Sequence, residues 1–467
     1  MDFQPVVLWT DALFFLLLAL GLATAVFIRR SEPLRAAWSK IGSRTTGMAA
    51  ATILLAFLGV GLLDSLHYRP QLAAVEGAQA AYSSEVLSAL DALLAPLRTR
   101  VEKTYSAPFA GALYARETVQ RADGAQERIY PRLQYGAAHL ADPVRERAGD
   151  VALRLAGGAL LGIPLWLLAA VGVAAGVARR RGRGLREATR AVARGKTVLA
   201  WRAALATLGV ILLVAGCAAA LATHYHVLGT DKVGQDVLYL SLKSVRTALI
   251  IGTLTTLVML PFAVALGIMA GYLGGWIDDA IQYLYTVLNA IPGVLLIAAA
   301  VLMMQVVIDT HPEWFATAAE RADARLLALC LILGITSWTG LCRLLRGETL
   351  KLRELDYVEA ARAFGVRTPS ILRRHVLPNV MHIVLIALVM DFSGLVLAEA
   401  VLSYVGIGVD PTTISFGTMI NAARAELARD PMVWWSLLAA FAFMFVLVLS
   451  ANLFADVVRD AFDPRRG

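Results

Sequence analysis

Apolar stretches of about 20 residues recur along the whole chain, the length that crosses a hydrocarbon layer of roughly 30 Å. They fall at about 12–28, 46–63, 152–178, 203–222, 245–271, 281–308, 325–345, 380–400 and 433–456. Of 467 residues, 58% are hydrophobic and 17% are charged, where a soluble protein carries about 25% charged. A soluble fold cannot hide that much apolar side chain. The sequence therefore excludes a soluble enzyme, a disordered tail protein and a small secreted scaffold. It predicts an all-α integral membrane protein of about nine transmembrane helices.

The net charge of +8 would suggest nucleic acid in a soluble protein. Here the Lys and Arg gather on loops. Residues 29–45 hold Arg29, Arg30, Arg35, Lys40 and Arg44 against Glu32. Residues 179–202 read RRRGRGLREATRAVARGKTVLAWR, and 346–379 carry Arg346, Lys351, Arg353, Arg362, Arg367, Arg373 and Arg374. With nine spans these loops share one face with the terminal DPRRG, and the positive-inside rule makes that face cytoplasmic. The opening MDFQPVVLWTD has no Lys or Arg, and Arg29-Arg30 follow the first apolar run. That polarity predicts an anchor with its N-terminus outside, not a cleaved signal.

Residues 64–150 are then extracytoplasmic. Their Ala, Leu and Val periodicity predicts a helical insert, with SSEVLSALDALLAPLRTRVEKTY as one amphipathic helix interrupted at Pro96. It reads as a structural cap on the first spans or as a docking surface. Cys217, Cys330 and Cys342 all lie in or beside apolar segments, so they predict small packed hydrophobes and no disulfide framework.

One cytoplasmic loop carries the functional reading. In DYVEAARAFGVRTPSILRRHVLPN, residues 356–379, Asp356 reads as an N-cap and Glu359 as its capping-box partner. Ala360, Ala361 and Ala363 leave a face that another backbone can approach. Gly365 sits where a helix end needs a left-handed residue. Thr368 and Pro369 read as the start of a second helix, which Pro378 ends.

Glu359-Ala360-Ala361, Gly365 and Leu377-Pro378 together resemble the EAA loop of ABC-importer permeases. HVLGTDKVGQDVLYLSLKSVRTALIIG at 226–252, AGYLGGWID at 270–278, AEAVLSYVGIGVDPTTISFGTMI at 398–420 and FADVVRDAFDPRRG resemble, in order, segments of the dipeptide/oligopeptide (DppC/OppC-type) permeases. Gln235 replaces that family's usual arginine. The resemblance covers about 200–467 and implies a type I importer core in the last six spans, at 203–467. Residues 1–63 would be a two-helix membrane extension, 64–150 the insert, and 151–202 a third span with a basic linker. The family implies half of a translocation pathway for di- or oligopeptides in the cytoplasmic (inner) membrane. Its partners would be a second permease subunit, two ATPase subunits and an extracytoplasmic solute-binding protein, within membrane lipid. Asp356, Glu359, Ala360, Ala361 and Gly365 would couple to the ATPase, which binds the ATP, so no cofactor is expected here. Nickel chelates or glycosides are alternative cargoes, and a scaffold or sensor that has lost transport is an alternative class.

Other motifs carry less. Gly229 and Gly234 have phosphate-loop spacing, but Gln235-Asp236 follow where Lys and Ser/Thr are required. Gly406, Gly408 and Asp410 superficially match an intramembrane aspartyl protease, with Asp391 as a second carboxylate, but Asp410 reads as lying in a polar loop. There is no zinc or serine-hydrolase motif, so no enzyme is expected. A carboxylate in mid-span, as at Asp391, faces a cavity or a partner. Asp391 and Glu399 are the candidate pathway residues.

Overall fold

A computed structural model describes residues 3–72, 82–120, 126–182 and 184–462. From the N-terminus, β1 (Phe3–Val6) leads into α1 (Trp9–Arg30), α2 (Glu32–Ser43) and α3 (Thr45–Asp64). The polar segment holds β2 (His67–Pro70), β3 (Leu87–Ser88), α4 (Ala89–Leu93), α5 (Ala95–Thr99), β4 (Glu117–Gln120) and β5 (Gln126–Ile129). Then come α6 (Arg147–Arg181), α7 (Leu185–Ala193), α8 (Trp201–Ala222), α9 (Val237–Leu273), α10 (Gly275–Ala290) and α11 (Gly293–Thr310). The chain continues through α12 (Ala318–Ser337), α13 (Thr339–Arg353), α14 (Asp356–Ala363), α15 (Thr368–Ile371), α16 (Leu377–Val405), α17 (Phe416–Arg424) and α18 (Trp435–Phe462). Among the described residues nine helical segments are long and apolar enough to cross a membrane.

The sixth span is shorter than its hydropathy suggests. The run 281–308 is broken at Ile291-Pro292, where Ile291 is extended and Pro292 caps α11. A proline pushes its preceding residue out of the helical region, so the span is Gly293–Thr310 and α10 is a separate helix. Pro261, by contrast, is accommodated inside α9.

The chain forms two compact units from interleaved stretches. One comprises Met1–Val6, Pro33–Thr247 and Ile414–Phe454; the other comprises Val7–Glu32, Ala248–Thr413 and Ala455–Gly467. In the first, α6 packs along α8 and α3 also packs on α8. Small residues make the α6–α8 seam. A Cβ on Gly158 would lie 2.5 Å from the Cys217 Cα, and one on Gly162 would lie 2.7 Å from the Leu212 carbonyl oxygen. Gly158 and Gly162 are thus a small-xxx-small pair letting two backbones touch, a packing mode suited to lipid, where apolar burial gives helices little reason to associate. Gly158→Val should lower thermal stability in detergent by about 1–3 kcal/mol, the usual range for overpacking. An unshifted melting curve would contradict the close seam.

In the second unit, Gly267 and Gly271 on α9 repeat the device against Cys342 and Arg346 of α13. Around them a buried cluster gathers Met259, Ala263, Tyr285, Trp338, Leu345, Val358, Ile371, Val376 and Val380. The same unit takes α1, which packs on α12; there the Thr10 amide donates to Asp323 Oδ2 at 3.1 Å. Cys330 and Cys342 are buried, and none of the three cysteines is in a disulfide.

The polar segment is not the helical insert its Ala/Leu periodicity predicts. Its described residues contain two five-residue helices and short strands. β2 pairs antiparallel with both β1 and β3, and β4 pairs with β5. Residues 83–105 are therefore not one amphipathic helix. Helices this short do not sustain themselves, and the backbone here bonds to distant partners instead. The Ala89 amide donates to the Leu66 carbonyl at 2.9 Å, and the Glu102 amide to the Gly234 carbonyl at 3.0 Å. Local periodicity loses to those long-range bonds.

Candidate functional site: the α13–α16 reversal

α13 ends at Arg353, and the chain turns through Leu355 into α14. Leu355 is the N-cap, so Asp356 is the first helical residue and no side-chain cap is made. The predicted capping box is not formed, because the helix starts one residue earlier than the Asp356–Glu359 spacing requires. Both acids still lie in the first turn, where the positive end of the helix dipole favours them. Val358, 2% exposed, anchors the helix in the cluster below.

The far end of α14 closes as the sequence predicts. Gly365 has φ +73. Its amide donates to the Arg362 carbonyl at 3.0 Å, and the Val366 amide to the Ala361 carbonyl at 3.1 Å. These two bonds define a Schellman reversal. Asp356, Glu359, Ala360 and Gly365 are exposed, and Ala361 is half-buried against the cluster. Phe364 is 86% exposed at the tip. A short helix pinned at one point thus displays two carboxylates, small residues and a bare aromatic ring.

The return limb differs from expectation. Thr368 is the first residue of α15, with Arg367 at the N-cap and Pro369 in the first turn. Pro378 does not end the helix. Residues Leu372–Val376 form a π turn that passes directly into α16, with Pro378 in its first turn. Proline has no amide to give the α-helical partner carbonyl one turn back, and the wider π turn absorbs the mismatch; such turns often mark functional sites. Asn379 Nδ2 ties the limbs together, donating to the Tyr357 hydroxyl at 3.1 Å and to the His375 carbonyl at 2.6 Å. Beside this, Arg346 of α13 grips Asp278 of α10 with two parallel bonds, Nε to Oδ1 at 2.6 Å and Nη2 to Oδ2 at 2.7 Å. Sequence reading missed this clamp, since nothing local links positions 68 residues apart.

The two candidate pathway residues on α16 are placed differently. Asp391 is half-buried and makes no hydrogen bond or ion pair among the described residues. Glu399 is 1% exposed and accepts from Ser403 Oγ at 2.6 Å. Asp410 is 4% exposed and pairs with Arg325, while Oδ1 takes the Thr412 amide and hydroxyl. It is occupied by structural bonds, which further weakens the protease motif.

In the other unit, the polar segment is latched onto residues 226–236. Glu102 Oε1 accepts from the amides of Tyr135 (2.8 Å) and Gly136 (3.1 Å), and Oε2 from that of Gln134 (2.9 Å). His226 lies between Glu102 (3.4 Å) and Asp236 (2.8 Å). Asp236 Oδ1 in turn caps α9 through the Leu238 amide at 2.8 Å. Burial alone would raise the Glu102 pKa, but His226 and the three amides hold it at about 2. Burial alone would lower that of His226, but Asp236 and Glu102 lift it to about 9. The sign follows directly. The His226 contribution is complete below its ordinary 6.5 and is lost as pH rises through about 9,. That of Glu102 is complete above 4.5 and is lost as pH falls through about 2,. Protease resistance of the segment should therefore decline between about pH 6.5 and 9. A flat profile there would contradict a charged His226. Gln235, the departure from the resembled family, is exposed beside this latch.

This chain belongs to the family of binding-protein-dependent transport system inner membrane components, whose pattern matches residues 263–467. It is thus a multi-pass permease subunit of an inner membrane. It is 31% identical over 239 residues to the oligopeptide transport system permease protein OppC of Mycobacterium tuberculosis, covering 51% of this chain and 76% of that protein. The glutathione transport system permease protein GsiD of Pectobacterium atrosepticum is 32% identical over 240 residues, 51% of this chain and 73% of that one. The dipeptide permease DppC of Lactococcus lactis is 30% identical over 240 residues, 51% and 64% respectively.

Proposed function

We propose that this chain forms half of the translocation pathway of an ATP-driven importer for short peptides. The α14 reversal is the observation that carries the reading. A helix held by Val358 and ended by a left-handed glycine, whose return limb α15 runs through the π turn into a 29-residue span, suits transmission of a rigid-body push into the membrane. Asp356, Glu359, Ala360, Ala361 and Gly365 would meet an ATPase subunit that binds the nucleotide. The basic loops support a cytoplasmic α14 and an N-terminus outside. A second permease subunit, a second ATPase subunit and an extracytoplasmic binding protein would complete the assembly. Residues 1–199 are read as an addition to the core. The peptide cargo rests on the oligopeptide, dipeptide and glutathione transport named for the relatives. Asp391, in mid-span and without a partner among the described residues, is assigned to the path. Glu399, whose carboxylate Ser403 engages, is assigned to its support.

The test of cargo is accumulation of a labelled dipeptide, a labelled pentapeptide and labelled glutathione in cells with and without the gene. Gene-dependent, energy-requiring uptake of at least one is expected. Uptake of none of them, with a nickel chelate or a glycoside accumulated instead, would overturn the peptide assignment and leave the permease assignment standing.

A further inference from the structure

The unit that contains α6, α7 and α8 carries a basic edge of its own. α6 ends at Gly182, with φ +60. The chain restarts at Gly184 as α7, which closes in a second Schellman reversal. Gly195 has φ +67 and donates to the Val192 carbonyl at 3.0 Å, and the Lys196 amide donates to the Ala191 carbonyl at 2.9 Å. Ala188 and Val192 are buried against Val177 of α6 and Leu205 of α8. Those contacts pin α7 across the ends of two membrane spans.

The remaining face is cationic. Arg179, Arg180, Arg186, Arg190 and Arg194 are all exposed. The Ala200 amide donates to the Gly42 carbonyl at 2.7 Å, which brings exposed Lys40 at the end of α2 to the same edge. Among the described residues, none of these six cations makes an ion pair. The α7 helix offers a single acid, Glu187. Two apolar side chains flank the arginines in the open, Leu185 at 49% and Val198 at 64% exposure.

We propose that this edge is a platform for the headgroups of anionic phospholipids. Unpaired guanidinium groups at the end of a span sit at headgroup depth, and their planar forks match phosphate oxygens in pairs. A cluster of four to eight Lys or Arg beside a span has the right charge for an anionic leaflet. The exposed Leu185 and Val198 fit a surface whose next layer is acyl chain, which favours lipid over an acidic protein.

The test titrates the purified full-length chain in mild detergent with phosphatidylglycerol, reading thermal stability, and repeats it with phosphatidylcholine and with inorganic phosphate. The variant is Arg186→Gln/Arg190→Gln/Arg194→Gln. All three side chains are exposed, so the fold should survive, and the triple Arg→Lys variant serves as the charge-preserving control. Phosphatidylglycerol should stabilise the wild type and the Lys variant. Its apparent affinity should fall roughly fivefold per charge removed, about a hundredfold in the Gln variant. An equal response by wild type and Gln variant would overturn the platform, as would an equal response to phosphatidylcholine. A matching response to inorganic phosphate would overturn the membrane source. If the Gln variant keeps its lipid response but loses co-purifying chains, the edge is a surface for an acidic protein instead.

Discussion

Gly365→Pro is expected to abolish uptake while the protein stays folded and in the membrane. Gly365 has φ +73, a value that the proline ring, locked near −65°, cannot adopt. Proline would also delete the amide that donates to the Arg362 carbonyl. The reversal ending α14 would be lost, and Phe364 and the acidic first turn would be redirected. The damage should stay local, because nothing lies within 4 Å of where a Cβ at Gly365 would stand. Gly365→Ala makes the graded companion. A left-handed alanine costs about 1–2 kcal/mol, so uptake should be reduced and not lost. Glu359→Lys changes an exposed charge at a helix start, a stability cost of only about 0.3–1 kcal/mol. Strong loss of uptake in that variant would therefore report a lost partner contact. Normal uptake by Gly365→Pro or Glu359→Lys at normal protein levels would refute the coupling assignment.

Glu102→Ala is expected to release the polar segment from residues 226–236. It removes the acceptor of three amides and one face of a buried histidine at once. Leaving buried donors without an acceptor costs about 1–3 kcal/mol each, and breaking a buried ion pair from one side costs about 3–5 kcal/mol. Limited proteolysis should then cut within residues 82–146, which the wild type should resist. Glu102→Gln, which keeps an acceptor but not the charge, should fall between. Gly234→Ala tests the same contact from the other side, since its Cβ would lie 1.8 Å from the Glu102 carbonyl oxygen. Wild-type resistance in both Glu102→Ala and Gly234→Ala would contradict the latch.

The features legible in the sequence are those settled by short-range chemistry. Hydropathy located the spans because a helix in lipid must satisfy its own backbone. The left-handed Gly365 was legible because one residue type is favoured at that conformation. The break at Pro292 was hidden by apolar residues running on either side of it, although the rule for the residue before proline predicts it. The π turn at Leu372–Val376 depends on how Pro378 is absorbed, which spacing alone does not show. The polar segment was misread as helical for the opposite reason. Its conformation is set by Glu102 meeting Gln134–Gly136 and by Tyr114 meeting the Met432 carbonyl 318 residues away. The Gly158–Gly162 seam and the Asp278–Arg346 clamp are likewise products of packing.

The central claim, that this permease is driven by a partner ATPase through α14, is tested most directly by co-purification. The tagged chain would be isolated from its native membrane in mild detergent and the accompanying chains identified by mass spectrometry. An ATPase subunit and a second permease subunit are expected with the wild type, and loss of the ATPase with Gly365→Pro. A wild-type chain recovered alone, or an ATPase retained undiminished by Gly365→Pro, would contradict the claim.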